Sequence, residues 1–586
     1  MGPSGPGPSQ AVTSAHGSDA HGRQRNRIAP SDTERGRVQA IGPGPGGPHQ
    51  GCSKAAAGPL PAPGHNLWIT NGRWNGKSKT LNGTVSPPAE AHRDPPDLNL
   101  AGRWLDCVER HGYGLYLGNG RDGPVFARPQ HGALVLGPPR CGKTASVVIP
   151  NVLGSCGPVV AVSTKPDILE ITSTPRLRVG PCYLFDPSGT VNAPAGVQRV
   201  AWSPLHASRR WDGAIAVAEA MVLSARPGGD RGESAHWLER ASALLSVAFH
   251  AGAIGDLSFA EVMEAIDRRQ AADFADRLAR ADSGRPASDP PASGRADLAR
   301  ADANRAGQLL AGIRATDSRE QSGIWSTASS VLSAYRTRAA LDSTEGPALD
   351  AARLVDERAT LYVCAGSDEQ RQAAPLVAGI LRDLRTAAYR RHATLHQLGG
   401  SGPPLVFALD EVANIAPLHD LPTLVAEGGS QGVVTLACLQ DLSQAEGRWG
   451  RVAGGFLTLF QAKLIFPGIA DTRTLEAISL LAGEVDVPHV SSTRSPVLAR
   501  LWHQSPTRTT TVSTRRERRF PVDVVAQLEP GVGLHLDGTR PQPVRITPWF
   551  DNDDLRAIVQ AHLVREPAGR SRTRPEPDER SRGRRI

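Results

Sequence analysis

The chain has 586 residues and a formal net charge of +8 that comes almost wholly from arginine. Its seven cysteines are scattered, with no C-x-x-C pair and no cluster with histidine, which argues against a disulfide framework or a zinc site. No run approaches the roughly 18–20 apolar residues of a membrane-spanning helix, and the N-terminus lacks the plan of a signal peptide. We therefore expect a cytoplasmic protein of roughly two or three domains that reaches the plasma membrane only through partners.

Both ends of the chain have the composition of disordered segments. Residues 1–95 are a low-complexity mixture of Gly, Pro, Ser, Ala and His, and residues 556–586 are rich in arginine. Neither stretch has enough apolar side chains to offset the entropy lost on folding. We predict a disordered N-terminal arm and a basic disordered tail, whose charge is compatible with nonspecific binding to nucleic acid or an anionic membrane.

The first folded region contains a phosphate-binding motif. The apolar run Ala133–Leu136 is typical of a buried strand, and a small hairpin is predicted just before it, within 113–127. The strand is followed by the pattern G-x-x-x-x-G-K-[ST], which consists of Gly137, Pro138, Pro139, Arg140, Cys141, Gly142, Lys143 and Thr144. In such a loop the backbone N–H groups surround phosphates, the lysine reaches the β- and γ-phosphates, and the Thr hydroxyl binds Mg²⁺. The motif predicts binding of a nucleoside triphosphate, with ATP and Mg²⁺ as the expected cofactors.

Further strand-like runs follow the motif. They lie at 159–163, 183–185 and 200–202 and alternate with helical or irregular segments. This alternation is typical of an open, mostly parallel α/β sheet. We place the first part of a nucleotide-binding domain at residues 96–205.

A helical region interrupts this pattern. Residues 206–340 have the Ala- and Leu-rich spacing of helices, and strand-like runs resume only at 360–365. The second part of the nucleotide-binding domain is therefore predicted at 341–555. We expect the all-helical domain between the two parts to be a separable recognition module.

The resumed α/β region contains a second motif. Leu405–Leu409 is a continuous apolar strand that ends in Asp410 and Glu411. In a P-loop ATPase the carboxylate at such a strand end binds the Mg²⁺ shell, and the adjacent Glu activates the attacking water. An apolar strand that ends in Asp-Glu is common by itself. In an α/β context after a P-loop, it predicts a metal-binding Asp410 and a catalytic Glu411.

A third candidate is Gln440, which follows the apolar strand Val433–Leu439. If this strand lies beside the Asp-Glu strand, its terminal amide lies next to the γ-phosphate and can sense it. The alternative is a glutamine that merely faces solvent at a strand end.

A later arginine-rich run at 507–519 also has two interpretations, because it could contact phosphates or form a solvated strand or loop.

The segment 405–450, LVFALDEVANIAPLHDLPTLVAEGGSQGVVTLACLQDLSQAEGRWG, resembles the core signature of the type IV conjugation coupling proteins, the TraG/TraD family. The resemblance extends over roughly 130–550 and includes FDPSG at 185–189, WSPL at 202–205 and QAKL at 461–464. It implies a RecA-like P-loop ATPase with an inserted all-α domain, assembled as a ring, by family resemblance a hexamer. It also implies DNA as relaxase-bound cargo, and relaxosome or secretion-channel proteins as partners.

The resemblance also assigns roles to residues. Gly142, Lys143 and Thr144 match the family's phosphate-binding residues, Asp410 and Glu411 match its metal-binding and water-activating pair, and Gln440 matches its sensor glutamine.

Two features depart from the family pattern. The family often has an arginine in a G-R-x-x-G block, thought to reach the neighbouring subunit's nucleotide, and Gly429 stands there in this chain. Arg448 and Arg473 are alternative sources of that charge. Family members also usually begin with membrane-spanning helices, whereas this chain begins with the predicted arm, so we expect a variant without them.

These motifs favour an ATP-hydrolysing motor that couples DNA or protein cargo to a conjugative transfer channel. Two alternative functions are compatible with the same motifs. One is an ATP-binding adaptor with little turnover, and the other is a protein-export ATPase without a DNA role.

Overall fold

The computed structural model describes residues 114–225, 233–283, 294–366, 370–416, 418–494, 508–538 and 541–563. The predicted N-terminal arm lies outside these ranges, as does the predicted tail beyond residue 563. Residues 556–563 belong to a helix that ends at Leu563, so the predicted tail boundary at 556 is too early. Leu555 and Val559 are buried one helical turn apart, and this apolar pair explains why the helix continues.

A twelve-stranded sheet forms the centre of the fold, in the order β2-β1-β14-β13-β10-β3-β9-β8-β4-β7-β5-β6. The strands from β10 to β6 in that order are parallel, and β13, β14, β1 and β2 continue the sheet antiparallel at one edge. The bounds are β1 Tyr116–Gly120, β2 Gly123–Phe126, β3 Ala133–Leu136, β4 Val159–Ser163, β5 Cys182–Phe185, β6 Val197–Arg199, β7 Thr360–Cys364, β8 Leu405–Leu409, β9 Val433–Leu439, β10 Ala462–Ile465, β13 Val532–Leu536 and β14 Gln542–Arg545.

Helices cover both faces of this sheet. After β3, a π-helical turn α1 (Thr144–Val148) continues as α2 (Ile149–Gly154), and α3 (Asp167–Arg176) follows β4. The helices between β6 and β7 are α4 Pro204–Ala207, α5 Trp211–Ala225, α6 Glu233–Ile254, α7 Phe259–Asp267, α8 Ala271–Ser283, α9 Gly294–Arg314, α10 Ser318–Val331, α11 Arg338–Asp342 and α12 Ala351–Asp356. The remaining helices are α13 Gln370–Gln397, α14 Val412–Ile415, α15 Leu421–Glu427, α16 Leu442–Trp449, α17 Phe456–Leu459, α18 Thr472–Leu481, α19 Val522–Ala526 and α20 Asp553–Leu563.

The sheet separates two apolar cores. Leu134 and Leu136 of β3 face one core, and their neighbours Ala133 and Val135 face the other. The central parallel strands are therefore buried on both faces, which explains their continuous apolar sequences. One strand was predicted wrongly, because 200–202 makes only an isolated bridge from Ala201 to Ala348 and the strand itself is β6.

The helices between β6 and β7 begin and end at neighbouring points. The Ala201 N–H donates to the Pro347 carbonyl at 2.8 Å, and the Ala201 carbonyl accepts from the Leu349 N–H at 2.8 Å. The chain thus leaves and re-enters the sheet region at one place. This arrangement is compatible with the predicted helical domain at 206–340, whose exact bounds stay a prediction.

The helical region shares its core with the α/β region. Met221 of α5 and Phe249 of α6 belong to the same buried cluster as Leu134 of the sheet. Trp202, just before α4, lies against Gly379 of α13, where an added Cβ would be 2.4 Å from the indole ring. The Trp202 Nε1 also donates to Asp383 Oδ2 at 3.2 Å. These contacts fasten the start of the helical region to α13.

A long antiparallel hairpin lies apart from the main sheet. Its strands are β11 (Glu484–Arg494) and β12 (Arg508–Arg518), paired from Glu484↔Arg518 to Arg494↔Arg508. The described part of the arginine-rich run is therefore an exposed strand, and its contact with phosphates stays a prediction. Arg516 of this run pairs with Glu484 at 3.1 Å, so part of the positive charge of the run is neutralised within the hairpin.

Candidate nucleotide-binding site

Four adjacent parallel strands end together at one edge of the sheet. In the order β3, β9, β8 and β4, they carry the phosphate-binding loop, Gln440, the Asp410–Glu411 pair and Ser163. The carboxyl ends of parallel strands are where α/β folds collect their functional groups. Residues that are hundreds of positions apart thus meet within one site.

The loop after β3 has the curled backbone that its sequence predicts. Gly142 has φ +95° and Arg140 has φ +62°, both in the left-handed region. The Gly137 N–H donates to the Leu439 carbonyl at 3.2 Å, which joins the loop to β9. A Cβ at Gly137 would lie 2.6 Å from the Cβ of Phe466, so this position has room only for glycine.

Lys143 lies inside this loop and is 8% exposed. Its Nζ donates to the carbonyls of Gly137 at 2.6 Å and Pro138 at 2.9 Å. No carboxylate oxygen forms an ion pair with this ammonium among the described residues. A buried cation that donates its hydrogen bonds to neutral groups, without a direct ion pair, suits an anionic ligand.

Thr144 and Asp410 join the loop to β8. The Thr144 hydroxyl donates to Asp410 Oδ2 at 2.9 Å, and the Ser163 hydroxyl at the end of β4 approaches the same oxygen at 3.4 Å. Burial raises the pKa of Asp410, and the hydrogen bond from Thr144 opposes that effect. A hydroxyl beside a carboxylate at this edge is an oxygen donor set suited to Mg²⁺.

Glu411 has a different environment from its neighbour. Its backbone is left-handed, with φ +56° and ψ +51°, and it starts the one-turn helix α14. The side-chain amide of Asn414 donates to Glu411 Oε2 at 3.1 Å. The carboxylate is half-buried, whereas that of Asp410 is buried, so the two acids are suited to different tasks.

Gln440 is placed as the sequence predicts, between the loop strand β3 and the Asp-Glu strand β8. Its backbone N–H donates to Gln444 Oε1 at 2.9 Å, which fixes the start of α16. Its own side chain is half-buried at the carboxyl end of β9. The geometry thus brings all the predicted site residues to one edge, and their roles stay predictions.

Residues 81–520 match the family described as Type IV secretory system Conjugative DNA transfer. The chain belongs to the conjugative DNA transfer family. No curated protein matches the chain.

Solved coupling proteins share the fold of this family member. The bacterial conjugative coupling protein TrwBdeltaN70, in its unbound monoclinic form, is 17% identical with a TM-score of 0.52, covering 76% of this chain and 91% of that one. The plasmid coupling protein TrwB in complex with GDPNP is 19% identical with a TM-score of 0.51, covering 76% and 92%. TrwB in complex with ADP and Mg²⁺ is 18% identical with a TM-score of 0.50, covering 77% and 93%. The similarity establishes a RecA-like P-loop fold.

The two alternative arginines of this conjugative DNA transfer protein differ in their surroundings. Arg448 Nη2 donates to the Ser224 carbonyl at the end of α5, at 3.0 Å. Arg473 lies in the first turn of α18, has a side chain that is 79% exposed, and pairs with Glu446 at 3.2 Å. Arg448 is thus bonded to a carbonyl of the same chain, and Arg473 lies at the surface.

Gly429 has a steric reason to be glycine in this family member. A Cβ added there would lie 2.0 Å from the carbonyl oxygen of Gln130. The backbone before β3 thus occupies the space in which a side chain at 429 would start. This packing therefore leaves no space for an arginine at position 429.

Two residues of the site escaped the sequence analysis. Ser163 is the single polar residue of the buried strand VVAVS, and that contrast was a usable signal. Asn414 lies three residues after Glu411, and the turn that starts α14 brings the two side chains together. In the described part of the chain, no helix is long and apolar enough to span a membrane.

Proposed function

We propose that this member of the conjugative DNA transfer family binds and hydrolyses ATP with Mg²⁺ to drive the transfer of cargo. The observation that supports this most is the convergence of Lys143, Thr144 with Asp410, and Glu411 at one sheet edge. These groups supply the positive charge, the metal ligands and the base that hydrolysis by water requires.

The residues present fit a bound Mg²⁺–nucleotide. Lys143 and the curled loop would hold the phosphates, and Thr144 and Asp410 would hold the metal, with Ser163 behind Asp410. Among the described residues no group of three or more His, Cys, Asp or Glu could form a metal cage. This fits Mg²⁺, which takes one or two protein ligands and completes its shell with phosphate oxygens and water.

The protein's own groups then divide the work. Bound Mg²⁺–ATP supplies the phosphoryl group that is transferred to water. Glu411 accepts the proton of the attacking water, because its carboxylate is half-buried and is not held by Thr144. Lys143 offsets negative charge on the phosphates, and the Gln440 amide distinguishes the presence of the γ-phosphate.

Family membership supports DNA, as relaxase-bound cargo, and components of a secretion channel as partners. We propose a ring assembly, a hexamer by resemblance, in the cytoplasm or at the membrane through partners. A role of the helical region in cargo recognition is part of this proposal. Its two ends meet at Ala201 and Leu349, while its core is continuous with that of the α/β region.

A ring would also supply the missing cation. An arginine from a neighbouring subunit typically contributes about 10³–10⁵ in rate to such reactions. Arg473 is the better of the two predicted candidates, because it is exposed, whereas Arg448 is bonded to Ser224. Specific activity should therefore rise with protein concentration, and Arg473→Ala should lose turnover but keep ATP binding. Activity per subunit that is independent of concentration, with an unaffected Arg473→Ala, would rule out this arginine.

The proposed function is tested by ATP hydrolysis with and without single- and double-stranded DNA, at two salt concentrations. GTP is compared in parallel, and Lys143→Ala gives the background. We expect hydrolysis that depends on Lys143 and increases with DNA, more strongly at low salt because phosphate contacts are screened by ions. Lys143-dependent hydrolysis that DNA leaves unchanged would favour the protein-export alternative.

One observation favours a second candidate function, an ATP-binding adaptor with little turnover. The carbonyl of Gln130 excludes any side chain at Gly429, where the family pattern often has an arginine. Tight ATP binding together with a rate equal to that of Lys143→Ala, at all protein concentrations, would support the adaptor.

A further inference from the structure

Asn414 makes a contact that no motif assigns. Its Nδ2 donates to Glu411 Oε2 at 3.1 Å, and Asn414 is the one described residue whose side chain bonds to that carboxylate. We propose that Asn414 is a positioning residue that aims the Glu411 carboxylate at the attacking water. This inference rests on the proposed ATP hydrolysis.

The backbone makes the contact specific. Glu411 is left-handed, and the Asn414 N–H donates to the Glu411 carbonyl at 2.9 Å, which closes the first turn of α14. Val412 and Ile415, on either side of Asn414, are each 0% exposed. Since these buried neighbours prevent α14 from rotating, the Asn414 amide is held on the same side as the Glu411 carboxylate.

The left-handed backbone also determines the direction in which the Glu411 side chain leaves the chain. A non-glycine residue in this region is strained, and such strain persists only where surrounding contacts enforce it. The side chain of Glu411 therefore leaves the chain in a direction that ordinary strand or helix geometry would not give. One hydrogen bond to Oε2 fixes the remaining rotation and leaves Oε1 as an acceptor for a water proton.

The chemistry of the donor is also suitable. A neutral amide donates one hydrogen bond to the carboxylate and orients it without placing a charge beside it. The neighbouring Asp410 is held by two hydroxyls instead, from Thr144 and Ser163. The two adjacent acids are thus oriented by separate partners toward separate tasks.

The test compares single-turnover ATP hydrolysis in the full chain, its Asn414→Ala and Asn414→Asp variants, and Lys143→Ala as background. We expect at least about tenfold slower hydrolysis for Asn414→Ala, with unchanged affinity for ATP, because misplaced catalytic groups lower the rate of the chemical step. Asn414→Asp should be slower still, since it keeps the shape but repels Glu411. A role in packing alone predicts the opposite order, because Asp preserves the volume of Asn.

A double-mutant cycle separates positioning from general structural effects. Asn414→Ala should cost nothing further in the Glu411→Gln background, since its effect acts through the Glu411 carboxylate. The matched control is Asn304→Ala on α9, an exposed residue whose Oδ1 accepts a hydrogen bond from Gln308. An undiminished effect in the Glu411→Gln background, or Asn414 variants as active as the parent, would overturn the inference alone. A parent no faster than Lys143→Ala would overturn the proposed function, and the inference with it.

Discussion

The Thr144 hydroxyl donates a hydrogen bond of 2.9 Å to Asp410 Oδ2, although 266 positions separate the two residues in the chain. The sheet order explains the contact, because only β9 lies between β3 and β8. The phosphate-binding loop and the acidic strand are therefore joined directly. This bond makes the two motifs one site.

Replacing the Thr144 hydroxyl should uncouple the metal from the nucleotide. Thr144→Val keeps the side-chain shape, and we expect about 10- to 100-fold weaker Mg²⁺-dependent nucleotide binding, because an oxygen ligand is lost. Affinity for a fluorescent ATP analogue, measured with Mg²⁺ and with EDTA, provides the readout. Thr144→Ser keeps the hydroxyl and should behave like the parent; equal affinities for the Val and Ser variants would refute a metal-binding role.

Gly429→Arg should damage the fold and not restore a catalytic arginine. The new Cβ would meet the Gln130 carbonyl at 2.0 Å, and neither backbone can move freely. We expect a loss of about 3 kcal/mol or more in the free energy of unfolding, measured with urea. The control Ser430→Arg adds the same charge at an exposed neighbour and should retain stability. Parent-like stability with faster hydrolysis in Gly429→Arg would show that the position is open.

Two glycines inside helices should respond in opposite directions to the same substitution. Gly379→Ala in α13 places a Cβ 2.4 Å from the Trp202 ring, so we expect destabilisation of about 1–3 kcal/mol. Gly307→Ala in α9 meets nothing within 4 Å and should stabilise by about 0.5–1 kcal/mol. Thermal unfolding of both variants checks the pair. Stabilisation by both would mean that the helical region is not clamped to α13 by Trp202.

The contact between Trp202 and Asp383 of α13 should make the stability of the protein depend on pH. Burial raises the pKa of Asp383 above its ordinary value of 3.8, despite the hydrogen bond from Trp202. At a pH between the ordinary pKa of Asp383 in the unfolded chain and its raised pKa in the folded chain, the folded state binds more protons than the unfolded state. The free energy of unfolding therefore falls as the pH rises through this range. Asp383→Asn should therefore unfold at a higher temperature than the parent at pH 8, with a difference that shrinks toward pH 4. Asp276→Asn, on the exposed surface of α8, should show no such trend; identical pH profiles for parent and Asp383→Asn would contradict the assignment.

Local sequence patterns predicted the parts of the fold that local chemistry decides. Apolar runs located β3, β4, β8 and β9 with their observed bounds, because buried parallel strands must be apolar throughout. The loop at 137–144 was recognisable because the spacing of its glycines and lysine is typical of a phosphate-binding loop. The strand after β5 was misplaced, since Val197–Arg199 has only one buried residue and gives a weak pattern.

Contacts between distant segments were not predictable in the same way. Nothing near Gly429 in the sequence indicates that Gln130 fills its side-chain space, and nothing near Asn414 indicates the left-handed backbone at Glu411. The docking of Trp202 on Gly379 likewise depends on how α13 packs in the folded chain. Such features follow from three-dimensional packing, which a single sequence does not reveal.

ATP hydrolysis by Glu411→Gln, beside the parent, tests the central claim most directly. The amide keeps the shape of the side chain and removes its basicity, so we predict unchanged ATP affinity and hydrolysis slower by about 10²–10⁴. Affinity and rate are measured on the same preparation, with Lys143→Ala as the variant that should fail to bind. Hydrolysis by Glu411→Gln at the parent's rate would contradict a water-activating role for Glu411 and, with it, the hydrolytic site as described.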